Sequence, residues 1–151
     1  MLKIGMIGTD TSHATIFTEI INDINHPFHV PGGRVVAAYA GGSPDFPVSI
    51  DRVRGFMERL KSEFGVRELD SPEEVAETCD AILLESADGR AHPALFRKIA
   101  PLGKPVFIDK PLALSVSAAR EIEAESKRWR TPVMSSSSLR YAERLTEDLE
   151  R

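Results

Sequence analysis

The sequence predicts an α/β fold: a doubly wound parallel sheet with helices on both faces, three layers in all. Three observations predict it. Short apolar runs alternate with amphipathic helical stretches along the chain, as in strands joined by helical crossovers. The run 35–40, VVAAYA, is apolar throughout, as suits a strand buried on both faces. The chain opens on MLKIGMIG, then a polar turn and a helical pattern. This is how a doubly wound fold presents backbone N–H groups to a phosphate.

Each element follows in order. Residues 2–7 read as the first strand, broken at Gly8, and a helix starts at Ser12 with Ile16, Phe17, Ile20, Ile21 and Ile24 on one face against the sheet. Residues 25–33, rich in Pro and Gly, form a loop before strand 35–40. After a second loop, 41–48, a helix over about 50–64 aligns Val53, Phe56, Met57, Leu60 and Phe64, and Gly65 caps it. Residues 66–69 suit a short strand. Ser71, Pro72, Glu73 and Glu74 then supply an N-cap, a first-turn proline and first-turn acids for a helix to about Thr78. Strand 81–84, a polar loop 85–91, a helix from His92 to near Ile99, a turn at Gly103, strand 106–108, helix 115–129, strand 132–134 and a final helix 139–149 complete the series. The serines 135–138 just past the last strand either line the crevice where open sheets bind ligands or form a surface turn.

A chain of 151 residues suits one domain with its own core. Its net charge of −4 argues against a non-specific nucleic-acid grip and offers no basic membrane-binding face. No apolar run nears the roughly 20 residues of a membrane span, and no signal-peptide pattern opens the chain, so the expected location is cytoplasmic. The lone Cys79 has no intrachain disulfide or metal partner and is expected to be buried. His26 and His29 lie three apart in a loop without accompanying cysteines or acids, so they are read as surface residues and no metal site is expected.

The most informative segment is 103–113, GKPVFIDKPLA. It resembles the G-K-H-V-x-x-E-K-P-x-A signature of the Gfo/Idh/MocA oxidoreductases. Residues 80–92 are similar to that family's D-A-V-x-I-x-T-P-x-x-x-H, with one extra residue before His92, and 135–141 to its late segment ending in arginine and an aromatic. The resemblance implies a Rossmann-type domain binding NAD or NADP, and oxidation of a secondary alcohol on a sugar or cyclitol as the small-molecule substrate. A homo-oligomer is compatible with it. Family members continue into an α/β substrate domain, whereas this sequence stops at Arg151 in what reads as the connecting helix. A truncated chain is the expectation, with a solitary domain as the alternative.

Carried over by residue, the resemblance implies that Lys110 lies near the nicotinamide and assists proton removal from the substrate hydroxyl. Asp109 stands for the family's glutamate, and Pro111 for its proline, where a cis bend is common. Ser86, His92 and Arg140 match residues along the cofactor, while Gly8, Thr9, Asp10, Thr11, Ser12 and His13 form the phosphate turn. The bland alternatives are a capping role for His92 and an exposed terminal arginine at 140.

Two departures bear on the cofactor. Of the G-x-G-x-x-G fingerprint only Gly8 is kept; Asp10 and His13 replace the other glycines. A carboxylate at about 4 Å from a phosphate costs roughly 4 kcal/mol at an effective dielectric near 20, so Asp10 must turn away, pair with a cation or exclude the nucleotide. An N-cap or Asx-turn role bonding N–H groups near Ser12 would turn it. His13 either caps the helix or faces the cleft. After Ala40 the acid that binds the ribose 2′-OH in such folds is replaced by Gly41 and Gly42. That removes a barrier to a 2′-phosphate, for which Arg52 or Arg54 would supply charge. The alternative function is a family relative that has lost dinucleotide binding and serves as a ligand-binding or interaction module.

Overall fold

The computed structural model describes residues 1–142. Its elements are β1 (Leu2–Ile7), α1 (Ser12–Asn22), β2 (Gly33–Tyr39), α2 (Pro47–Phe64), β3 (Arg67–Glu68), α3 (Pro72–Thr78), β4 (Ala81–Leu84), α4 (His92–Ile99), β5 (Val106–Asp109), α5 (Val116–Trp129) and β6 (Val133–Ser136). Short 3₁₀ turns follow α4 and β6. All pairings are parallel and the strand order is β3-β2-β1-β4-β5-β6. The chain therefore winds outward from β1 to β3, returns to place β4 beside β1, and winds outward again. The carboxyl ends of β1 and β4 flank the switch point where such sheets open a crevice.

The sheet separates two cores. Ile7, Ala37, Ile82, Leu84, Val106 and Ile108 pack with Val75 and Ala76 of α3, Phe96 of α4 and Ile122 of α5. Met6, Val35 and Ala38 pack on the opposite face with Ala14 of α1 and Val53, Met57 and Leu60 of α2. A bulge opposite Ile4 and Gly5 admits Val36 as an extra residue in β2, so Val35 and Ala37 face opposite cores. Gly5 has a packing reason: a Cβ there would fall 2.4 Å from Val75 Cγ1 of α3. Cys79, as expected, is buried in this core, and desolvation pushes its thiol pKa up.

Ser71 caps α3 as expected, its Oγ accepting from Glu74 N at 3.1 Å, and Ser115, read from the sequence only as a helix start, caps α5 by accepting from Ala118 N at 3.1 Å. Gly65 closes α2 in the left-handed region at φ 66°.

Several boundaries differ from expectation. β2 starts at Gly33, α2 at Pro47, and β5 runs on to Asp109. The strand β6 takes in Ser135 and Ser136, paired in register with Ile108 and Asp109, so half of the serine patch is sheet. Residues 138–141 are a 3₁₀ turn, and the rest of the final helix expected over 139–149 lies almost wholly outside the described residues.

A larger correction concerns α1. Its buried residues are Ala14, Thr15 and Thr18, while Ile16 and Ile24 are exposed. Small side chains let the helix approach the sheet closely. The isoleucine stripe is displaced sideways, where Phe17, Ile20 and Ile21 join Leu83 of β4 and Phe107 of β5 along an apolar groove.

Candidate functional site at the sheet switch point

β1 ends in Gly8, whose φ of 85° suits glycine and whose missing Cβ leaves room for the β4–α4 loop. A Cβ there would lie 2.6 Å from Ser86 N and 2.7 Å from Ser86 Cα. Thr9 turns inward: its Oγ1 donates to Val53 O at 3.2 Å and the residue is fully buried.

Asp10 is fully buried too, accepting from Ser49 Oγ at 2.6 Å and from Ala87 N at 3.0 Å. The carboxylate is thus turned, but by partners from α2 and the β4–α4 loop rather than by the local N–H groups of an Asx turn. The N-cap of α1 is Thr11, whose Oγ1 accepts from His13 N at 3.3 Å. Thr11, Ser12 and His13 are the members of this turn that reach the surface.

His13 faces the cleft. Its Nδ1 lies 2.7 Å from Asp109 Oδ2 at the end of β5, and its ring rests beside Phe17 at 5.3 Å between centroids. Lys110, with a half-exposed side chain, holds Nζ 3.8 Å from the same Asp109 oxygen. These three residues border a cavity of about 420 Å³ shared with Ser136, Ser137 and Tyr141. Of the serine patch, Ser136 of β6 and Ser137 just after it line this cavity. Arg140 is exposed beside this rim, and Tyr141 rather than Arg140 reaches the lining.

The Lys110–Pro111 peptide is cis. Behind it, buried His92 ties two loops together: Nδ1 lies 3.0 Å from Pro111 O and Nε2 2.8 Å from Ser86 O. With both ring nitrogens against backbone carbonyls, His92 positions the loops from within. Pro111 and Leu114 border a second cavity with Asp45, Asp88 and Arg90. Arg90 contacts both carboxylates, at 2.8 Å from Asp88 and 2.9 Å from Asp45. Its guanidinium holds the Asp88 carboxyl well below the usual carboxylate range, at about 2.

Gly41 and Gly42 have φ of 68° and 103°, so the turn after β2 uses a backbone conformation that an acidic residue would adopt only under strain. Arg54 does not stand free for a 2′-phosphate: NH1 lies 2.6 Å from Glu68 Oε1. Arg52 Nε donates to Val48 O at 2.6 Å.

Sequence reasoning missed Glu85. It directly follows β4, is fully buried, and neither carboxylate oxygen has a hydrogen-bond partner. Desolvation, then the nearby Asp109 charge, pushes its carboxyl pKa well above the ordinary range. The signal in the sequence is a charge closing the apolar run AILL, where composition alone suggests the start of a polar loop.

Comparison with known proteins agrees with this fold. The family model described as an oxidoreductase family with an NAD-binding Rossmann fold matches residues 2–136. Inositol 2-dehydrogenase of Cereibacter sphaeroides is 32% identical over 146 residues, covering 93% of this chain and 37% of that protein. A dehydrogenase (MviM) from Clostridium difficile superposes with a TM-score of 0.65 at 25% identity, over 89% of this chain and 39% of its own. An oxidoreductase from Agrobacterium radiobacter, solved in complex with NAD⁺, L-tartaric acid and magnesium, has a TM-score of 0.67 at 20% identity. That match covers 89% of this chain and 34% of the other, and at this identity supports the fold alone.

Proposed function

The chain belongs to the Gfo/Idh/MocA oxidoreductase family, and from that premise we propose that it is the nucleotide-binding part of an NAD-dependent dehydrogenase acting on a secondary alcohol of a sugar or cyclitol. The carrying observation is that Lys110, at the end of β5, opens into the cavity bordered by His13 in the first turn of α1. The inositol dehydrogenase relative supports the substrate class. Because the chain spans about 37% of that relative's length, the substrate site and turnover belong to a larger molecule in this reading.

The residues present fit a dinucleotide. Gly8 keeps the turn free of a Cβ, Asp10 is sequestered by Ser49 and Ala87, and Thr11, Ser12 and His13 surround the helix N-terminus that would hold the pyrophosphate. Bound nicotinamide supplies the hydride acceptor. Lys110 Nζ is the group on this chain placed to hydrogen-bond the substrate hydroxyl and take part in moving its proton. Asp109 holds that ammonium on one side and the imidazole of His13 on the other.

Asp10 also supports the second reading, loss of nucleotide binding, since its link to Ala87 ties together the loops that flank the crevice. Calorimetric titration of the chain with NAD⁺ and NADP⁺ separates the two. Saturable binding of NAD⁺, retained in Lys110→Ala because Nζ serves the substrate, is the expected result. No heat from either nucleotide at millimolar concentration rejects the dehydrogenase reading.

A further inference from the structure

We infer that His13, Glu85 and Asp109 form a binding site for one divalent transition-metal cation of the zinc or manganese class. The three side chains come from the first turn of α1 and the ends of adjacent strands β4 and β5, where Leu84 and Ile108 are register partners. Each offers one ligand atom, and these atoms all lie within 4.8 Å of one another.

Glu85 makes this more than a cluster of polar groups. Its carboxylate is wholly buried, and neither oxygen has a hydrogen-bond partner. A buried carboxylate without a partner must take up a proton or meet a cation. A proton would neutralise Glu85 alone and leave Asp109 and His13 as they are. A cation engages all three groups together and balances the two carboxylates.

The spacing suits coordination. Two ligands each about 2.1 Å from one metal lie roughly 3–4 Å apart, a range bracketed by the 2.7 Å between His13 Nδ1 and Asp109 Oδ2 and the 4.8 Å limit of the set. One imidazole with two carboxylates favours zinc or manganese over magnesium, which prefers oxygen ligands alone. The other charge at hand is Lys110 Nζ, 3.8 Å from Asp109 Oδ2 on a half-exposed side chain. The site opens through His13 and Asp109 onto the cavity they border, leaving a path for the ion.

Calorimetry and thermal melts of EDTA-stripped protein with zinc chloride and manganese chloride test this. The expected result is one equivalent of either ion with a raised melting temperature, and affinity at least 100-fold weaker in Glu85→Gln and in His13→Gln. Glu85→Gln keeps the side-chain shape and removes the buried charge, so it remains folded, which its melt without metal verifies. The loop histidines are controlled by a His26→Gln/His29→Gln double variant, expected to bind as the parent does. The inference is overturned by no saturable binding of either ion at millimolar concentration. It is equally overturned by affinity unchanged in Glu85→Gln, or by binding abolished in the loop variant. The result is independent of nucleotide binding, which the NAD⁺ titration reads separately.

Discussion

Asp10 and Glu85 are both wholly buried carboxylates, but only Asp10 is partnered, by Ser49 Oγ and Ala87 N. In the absence of metal, Glu85 has a folded-state pKa raised above its unfolded value of about 4.5. The folded state then holds a proton that the unfolded state releases, so stability is full below the unfolded pKa and falls as pH rises toward the folded value. Glu85→Gln should therefore flatten the decline of melting temperature above pH 5 and raise it near neutrality, measured by thermal melts in EDTA across pH 4–8. A melt profile in which the parent and the variant decline in parallel would show that Glu85 does not titrate in this way. Asp88 runs the other way: its depressed carboxyl adds stability above the ordinary carboxylate range, and this is lost as pH falls toward about 2.

At the scale of elements, local signals and packing decided different things. The caps at Ser71, Ser115 and Gly65 formed because side-chain oxygens and a glycine in the left-handed region satisfy the end groups of a helix without outside help. The helix α5 ends instead on Arg130, the one non-glycine residue with positive φ among those described, at 55°. A Cβ in that conformation costs about 1 kcal/mol. Arg130→Gly should raise stability by up to about 1 kcal/mol, offset in part by the greater freedom of an unfolded glycine, as read by urea denaturation. A destabilised variant would mean that the arginine side chain contributes more than its backbone strain costs. For α1, hydrophobic periodicity pointed to the isoleucine face, whereas the buried face is Ala14, Thr15 and Thr18. Close approach to the sheet requires small residues, and periodicity weighs size as burial.

Over the whole molecule, two apolar cores share one sheet, and Ile7 and Met6, neighbours on β1, face opposite ones. Neither core can dissolve without exposing the strands that build the other. The chain should therefore unfold in one cooperative transition, with Trp129 fluorescence at the end of α5 and far-UV circular dichroism giving the same midpoint in urea. Separate midpoints would show that the α3–α5 side opens independently. The same sheet sets the site. The reversal of winding between β1 and β4 brings the ends of β1, β4 and β5 together, so His13 and Asp109 meet at 2.7 Å although 96 residues separate them.

The sequence by itself determined the alternation of strands and helices, the parallel sheet, the turn at Gly8 and the prominence of Asp109, Lys110 and Pro111. These are legible because periodicity, turn chemistry and short motifs act over a few neighbouring residues. Only the tertiary structure decided which side chains meet. It turned Asp10 toward Ser49 and Ala87 and set His92 between the Ser86 and Pro111 carbonyls. It paired Arg54 with Glu68 and left Glu85 buried and unpartnered beside Asp109. Desolvation and pairing depend on the distance between elements remote in the chain, a quantity that strand order and helix approach set and that no local pattern carries.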